Sequence, residues 1–392
     1  MIGKKVLIVS ASIGSGHNQA AKAITTELKL RYPEIKVEFA DFMTGEHSYL
    51  NRLIKEAYFK MINISPNMYD LLYRWSNAPE RGGKVQSLLV KIMRSKMQAL
   101  INKHQPDFII ATHPFPCAAA ANLKATGKTS SRLAAAITDF AAHRLWVYPQ
   151  VDCYFVAAAK VSDELVQQGI KKERVHVTGI PIGSEFALPV EKFVAIERLK
   201  LNKHNPVLLI MGGGLGLGGV KQALMSAYKV KRPIQIVIVT GRNAKLRHSL
   251  KKAAAHSRHK VHVLGYTTRI RELMAAASLI ITKPGALTLS EAMAAAVPIV
   301  LYESIPGQEK ENAAFMAAEG AALLVEDTRH LDNKITEVLG DSNLIEKLRM
   351  NAGRISRPKA ASEAADLVSR ILYSEDSHSV CNLNAWREKA CS

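Results

Sequence analysis

Several short stretches carry residue types at spacings that could do chemistry, and each follows an apolar run. Gly14-Ser15-Gly16-His17 comes directly after KVLIVSA. Glycines there let the backbone approach an anionic ligand, and a helix beginning next offers unbonded amide donors. The same residues would equally serve a tight turn beside a structural histidine. Residues 211 to 219 read MGGGLGLGG, between a second apolar run and a helical pattern. Glycine at that density costs backbone entropy that a plain connection does not require, so close approach to a diphosphate is the better account. Thr282-Lys283-Pro284-Gly285-Ala286 follows SLII. Pro284 suits the start of a helix whose open amides and dipole favour phosphate oxygens. Glu291, about two turns into that helix, is either an acceptor for ribose hydroxyls or a solvated acid. Pro306-Gly307-Gln308-Glu309, with Asn312 one turn later, sets amide and carboxylate groups at another loop. That chemistry suits sugar hydroxyls and is also common in polar turns.

What is missing narrows the reaction. The sequence contains no HExxH, no cysteine cluster, no P-loop, no GxSxG and no DxD, so a diphosphate site that uses no metal and no tightly bound cofactor is expected. A dinucleotide-dependent oxidoreductase is the competing use of the first glycine loop, with Glu38 or Asp41 as the ribose acid; against it, the loop lacks the third glycine of GxGxxG.

The elements that must position these residues alternate strand and helix. KVLIVSA, VEFAD, DFIIATH, AAAITDF and CYFVAA read as buried strands, with a helix over about 18–31 after the first. A second series runs PVLLIMGGG, IQIVIVTG, KVHVLGY, SLIITKPG and PIVLYES. The expected fold class is α/β, with two doubly wound Rossmann-like domains facing each other across a cleft. Ligands of such sheets bind at the carboxyl ends of the strands, where the motifs lie. The expected division is an acceptor and membrane-binding domain over 1–184, a linker over 185–205, a nucleotide-sugar domain over 206–373 and a frayed tail over 374–392.

At 392 residues the chain is long enough for two cores, and 48% hydrophobic against 22% charged residues argues against extensive disorder. Cys117, Cys153, Cys381 and Cys391 show neither CxxC spacing nor a dense framework, which suits a reducing compartment. The start imitates a signal peptide, but its apolar run breaks at once into Gly14-Ser15-Gly16-His17 and reads as a buried first strand. No segment approaches the roughly 20 apolar residues of a membrane span, so any membrane contact is expected to be peripheral. The net charge of +19 calls for an anionic partner. Residues 81–106 carry no acid but include Arg81, Lys84, Lys91, Arg94, Lys96 and Lys103, and 198–271 also lacks Asp and Glu. Between 46 and 105, aromatic and apolar residues such as Tyr58, Phe59 and Trp75 alternate with basic ones. That stripe either packs on the sheet or docks on anionic headgroups, with Lys84, Lys91 and Arg94 as the docking cations. No recognised nucleic-acid motif is present, and no nucleic-acid partner is expected.

Taken in order, Gly14-Ser15-Gly16-His17, Thr112-His113-Pro114, Thr138-Asp139-Phe140 with His143 and Trp146, Thr178 to Ile182, the 211–219 loop, Lys283-Pro284-Gly285 through Glu291, and Pro306 to Glu309 resemble glycosyltransferase family 28. Within it the chain is most similar to the bacterial diacylglycerol glucosyltransferases and plant monogalactosyldiacylglycerol synthases, over about residues 4 to 370. The resemblance implies a GT-B fold, an inverting transfer from a UDP-sugar to diacylglycerol, and attachment to the cytoplasmic face of the plasma membrane. It makes His17 the general base, with Gly16, His113, Asp139, His143 and Trp146 on the acceptor side. Gly213, Gly214, Lys283, Gly285 and Ala286 would hold the diphosphate. Thr240, Gly241, Arg242, Asn243, Gly265, Tyr266 and Glu291 would hold the uridine, and Gln308 and Glu309 the hexose. Two departures stand out: Ala286 replaces the second glycine of a KPGG form, and the Thr138-Asp139-Phe140 segment looks like the bacterial enzymes rather than the plant ones, which favours glucose over galactose. The related alternative is transfer of N-acetylglucosamine to a lipid-linked peptidoglycan precursor.

Overall fold

The structure, a computed structural model, describes residues 3–12, 15–44, 93–214, 216, 219–302 and 307–374. Gly14, Lys84, Lys91 and most of the aromatic and basic stripe lie outside the described residues.

The apolar runs become strands because parallel strands covered on both faces need side chains that are buried whichever way they point. The first sheet contains β1 (Lys5–Ser10), β2 (Lys36–Asp41), β3 (Phe108–Ala111), β4 (Arg132–Ala136), β5 (Cys153–Val156) and β6 (Val175–Val177). The second contains β7 (Val207–Met211), β8 (Gln235–Val239), β9 (Lys260–Leu264), β10 (Leu279–Thr282), β11 (Ile299–Tyr302) and β12 (Ala322–Val325). Their orders are β2-β1-β3-β4-β5-β6 and β12-β11-β10-β7-β8-β9, and all their neighbours pair in parallel. The fold is thus the two doubly wound Rossmann-like sheets expected.

In each sheet the winding reverses between two strands, β1 and β3 in the first, β7 and β10 in the second. The loops leaving such a pair diverge and open a crevice. Ser15 to His17 and Thr112-His113 therefore face one crevice, while Gly212 to Gly214 and Lys283 to Gly285 face the other.

The described elements depart from expectation in three places. The linker is not bare chain: it holds a 3-10 turn, Ser184–Ala187, and a helix, Lys192–Arg198, whose Ala195 and Ile196 pack on Ala276. The second unit does not keep its residues up to 373. Helix Ala360–Tyr373 crosses back onto the first sheet, burying Ala364, Val368 and Ile371 among Ile8, Ile24 and Phe108. Arg31 donates to both carboxylate oxygens of Asp366 at 2.9 and 3.0 Å, and Tyr32 adds a hydrogen bond at 2.8 Å. Each fully buried aliphatic side chain in that seam contributes about 1.5–3 kcal/mol. Lastly, β6 and β12 are strands the pattern did not reveal, being short edge strands with polar or exposed positions.

A candidate active site between the two sheets

His17 sits in the first turn of helix Gly16–Arg31. Its Nδ1 is 2.9 Å from the Thr112 carbonyl oxygen and 2.7 Å from Thr138 Oγ1. A carbonyl only accepts, so Nδ1 carries the hydrogen, shared between the two oxygens, and the Nε2 lone pair is left over. Thr112 in turn donates its hydroxyl to the His17 carbonyl at 3.1 Å. Desolvation between the lobes pushes the imidazole down to about 4, only partly offset by the Thr112 hydrogen bond. At neutral pH it is an uncharged ring whose second nitrogen keeps its lone pair.

His113 lies edge-on to His17, with centroids 4.6 Å apart. Its Nδ1 accepts from the Phe115 amide at 3.1 Å and caps helix Pro114–Ala125, so this ring is part of the scaffold under the base. His143 caps the 3-10 turn Arg144–Trp146 in the same way, accepting from Leu145 at 3.1 Å. Trp146 is only 2% exposed and belongs to the core. Trp146 does not present its side chain to an acceptor, contrary to expectation, because it is enclosed, and His143 is itself buried with its Nδ1 committed to the cap. Of the docking cations only Arg94 is described; it is half-buried and reaches Thr126 at 3.5 Å.

Asp41, the ribose acid of the dinucleotide alternative, is already committed. It accepts from the Ser12 amide at 3.1 Å, the Met43 amide at 2.9 Å and Asn18 at 3.2 Å, and so braces the first loop.

The second crevice supplies the anion site. Gly213 has φ +67°, and Lys283 Cε lies 3.4 Å from where a Cβ would stand. Gly241 has φ +56°, and a Cβ there would run into the Gly213 and Gly214 carbonyls. Gly213 needs glycine for its backbone region, and Gly241 needs it on two counts, backbone region and space. Arg242 donates its amide to the Gly214 carbonyl at 3.1 Å, which locks the two loops together. Gly285 spends its amide on Lys283 O at 2.8 Å, so it is not the donor expected. The open amides begin with Ala286, the first residue of helix Ala286–Ala294, whose opening turn has no partners four residues back. Lys283 Nζ forms an ion pair with Glu309, and both side chains are largely enclosed. Gln308 and Glu309 open helix Gln308–Ala318 after Gly307 at φ +88°.

A cavity of about 470 Å³ separates the lobes beside these loops. Gly213, Gly214, Gly241, Arg242, Tyr266 and Glu291 line it, and so do Glu185, Thr267, Thr268 and Arg271, which sequence reasoning missed. Tyr266 is 55% exposed with Arg242 over its ring at 5.4 Å, an arrangement open to a flat heterocycle. Thr240 and Asn243 are not available: Thr240 is fully buried and donates to Leu264 O at 3.0 Å, and Asn243 caps helix Ala244–Ala254 through Leu246 at 2.9 Å. Gly265 does not reach the cavity wall; a Cβ there would stand 3.5 Å from Arg247. Burial, reinforced by the nearby Glu185 charge, pushes the Glu291 carboxyl up to about 8. Among the described residues no group of His, Cys, Asp and Glu could hold a metal ion.

The two crevices meet. Ser15 presses against Gly214, where even a Cβ would collide with it, and Gly16 stands 3.7 Å from Leu287 when measured from its Cβ position.

Comparisons with known proteins agree with this architecture. A family model described as monogalactosyldiacylglycerol (MGDG) synthase matches residues 17–182, and the glycosyltransferase family 28 C-terminal domain matches residues 207–371. Proteins named processive diacylglycerol beta-glucosyltransferase from Bacillus cytotoxicus and Bacillus thuringiensis are 32% and 34% identical, each alignment covering 95% of both chains. Among solved structures, Acinetobacter baumannii MurG covers 94% of this chain and 99% of its own, with a TM-score of 0.61 at 18% identity. Anabaena HepE in complex with UDP-glucose covers 93% and 99%, with a TM-score of 0.56 at 15% identity. The structures share the fold, whereas the full-length relatives share the sequence as well, and the chain belongs to the diacylglycerol glucosyltransferase and monogalactosyldiacylglycerol synthase group of glycosyltransferase family 28.

Proposed function

We propose that the chain transfers a hexose, glucose in preference to galactose, from a UDP-sugar to diacylglycerol or a glycosyl-diacylglycerol, with inversion at the anomeric carbon. The observation that carries this reading is the meeting of the two crevices, in which Ser15 and Gly16, the residues just before a neutral histidine of one lobe, abut Gly214 and Leu287 of the other. The uridine occupies the cavity beside Tyr266 and Arg242, with Glu291 on its ribose. The diphosphate lies on Gly213, Gly214, Lys283 and the opening amides of helix Ala286–Ala294, and Gln308 and Glu309 face the hexose. His17 Nε2 takes the proton of the acceptor hydroxyl as that oxygen bonds to the anomeric carbon and the diphosphate departs with the electron pair. The incoming phosphates bring negative charge near the imidazole, which raises its basicity when the base is needed.

Main-chain amides and Lys283 do the work that a cation does elsewhere, so binding is expected without metal. The acceptor arrives from a bilayer at the cytoplasmic face of the plasma membrane. A net charge of +19 favours an anionic lipid surface there, and no helix among the described residues is long and apolar enough to cross a membrane. The relatives' printed activity on diacylglycerol supports that acceptor.

Titration calorimetry in chelator-treated buffer should detect UDP binding, and purified protein with diacylglycerol vesicles should convert UDP-glucose to glucosyl lipid faster than UDP-galactose to its counterpart. Absence of UDP binding without metal would refute the anion site, and absence of any glycosyl lipid would refute the acceptor.

Glu291 offers a sharper check. With its carboxyl pushed up to about 8 it is protonated in the empty protein at pH 7. Glu291→Gln should therefore keep UDP affinity at that pH, while Glu291→Ala loses about tenfold, the worth of one hydrogen bond. Above pH 8 the parent ionises and the Gln variant does not, so their affinities part. A tenfold loss in the Gln variant at pH 7 would mean that the ribose needs the carboxylate.

A further inference from the structure

Asn312 is fully buried and has no access to a sugar hydroxyl, yet its amide is used on every side. Its Oδ1 accepts from the Phe140 amide at 2.8 Å. Its Nδ2 donates to Asp139 Oδ1 at 3.1 Å and to the Pro284 carbonyl at 3.2 Å. Three segments thus meet on one side chain: the Thr138–Phe140 loop of the first lobe, the turn after Lys283, and the helix that begins with Gln308 and Glu309. Beside it Phe140 stacks on Phe315 of the same helix, centroids 4.7 Å apart and planes 9° from parallel. Thr138, at the head of the tethered loop, is the residue whose hydroxyl meets His17 Nδ1.

We propose that Asn312 is a positioning residue that ties the loop supporting the base to the turn that holds the leaving group, so that His17 and the donor stay in register only while this buried amide spans the lobes. The inference rests on the proposed transfer reaction for its kinetic consequence, but the tether itself is independent of it. A carboxamide suits the place because it offers an acceptor to one lobe and donors to both. Asn312→Asp keeps the shape and the Phe140 contact but turns both donors into an acceptor facing Asp139 and a carbonyl.

The test compares Asn312→Asp and Phe315→Leu with the parent. In Asn312→Asp, kcat should fall about 10²-fold, as for a displacement of about 1 Å at a reacting pair, with the donor KM and UDP dissociation constant unchanged. Small-angle scattering without substrate should show the lobes further apart than in the parent. Adding Asp139→Asn should restore part of the spacing, because the swapped pair can again share a hydrogen bond while the Pro284 carbonyl still faces an acceptor. Phe315→Leu removes stacking but no hydrogen bond, and should lower the melting temperature while sparing kcat. If both variants lost kcat in step with melting temperature, Asn312 would be a packing residue only. Unchanged scattering and kcat in Asn312→Asp would end the proposal. A parent that made no glycolipid while Asn312→Asp still opened the lobes would sink the transfer reading and leave the tether standing.

Discussion

Replacing His17 by Ala is expected to cut glycosyl transfer about 10²–10⁴-fold, the range for loss of a general base, with UDP affinity intact. His17→Gln tests the chemistry more closely. Its amide can still donate to the Thr112 carbonyl and keep the loop in place, but it has no basic nitrogen. The two variants should fall together; recovery in the Gln variant would mean that the histidine only holds the loop. The pH dependence has a definite sign. The neutral form is the active one, so the contribution of His17 to kcat/KM is present at neutral pH and is lost as pH falls through about 4, not through 6.5. The unfolded chain binds this proton near 6.5 and the folded one near 4, so between those values the unfolded state holds more protons and stability drops as pH falls. Histidine NMR titration of the free protein reads the same group directly, and a midpoint near 6.5 would show that the ring is not desolvated as the structure has it.

The parts of this architecture legible in the sequence were those with local signatures. Runs such as Val207–Met211 and Leu279–Thr282 are apolar because both faces of a parallel strand are covered, so the two series of strands could be read directly. Val175–Val177 could not: three residues with a histidine between two valines carry no period. The glycine at 213 announced itself through the density of its loop, which its αL backbone explains, whereas Gly241, where a Cβ would strike the Gly214 carbonyl, came only with the resemblance. Asn243 was misread for want of weight on an available cue, since Asn directly before AKLRH is an N-cap pattern that claims the side chain for the helix. The links from His17 to Thr112 and Thr138 span 95 and 121 residues and depend on the order in which strands enter the sheet, which no local pattern encodes. The return of helix Ala360–Tyr373 to the first sheet is hidden for the same reason. Its partner lies far back along the chain, on the first sheet.

Lys283→Met should lower kcat about 10²–10³-fold, as does loss of a donor aimed at developing charge. The variant also breaks an enclosed ion pair with Glu309, which costs stability on the order of 3 kcal/mol and could by itself depress activity. Two measurements separate these effects. UMP reaches the uridine cavity but lacks the second phosphate, so its affinity should survive in Lys283→Met, whereas that of UDP falls by the value of a charge-assisted hydrogen bond, about 1.5–3 kcal/mol. Combining Lys283→Met with Glu309→Gln removes the carboxylate that has lost its cation, and should return the melting temperature toward that of the parent. Because Glu309 also faces the hexose, turnover is compared with Glu309→Gln alone and should stay well below it. If the double variant regained turnover, the lysine would act by neutralising Glu309. If instead UDP loses affinity, UMP does not, and turnover stays low in a stable protein, then Lys283 is working on the leaving diphosphate. Its pairing with Glu309 in the empty site would then hold the ammonium in place until the phosphates replace that carboxylate.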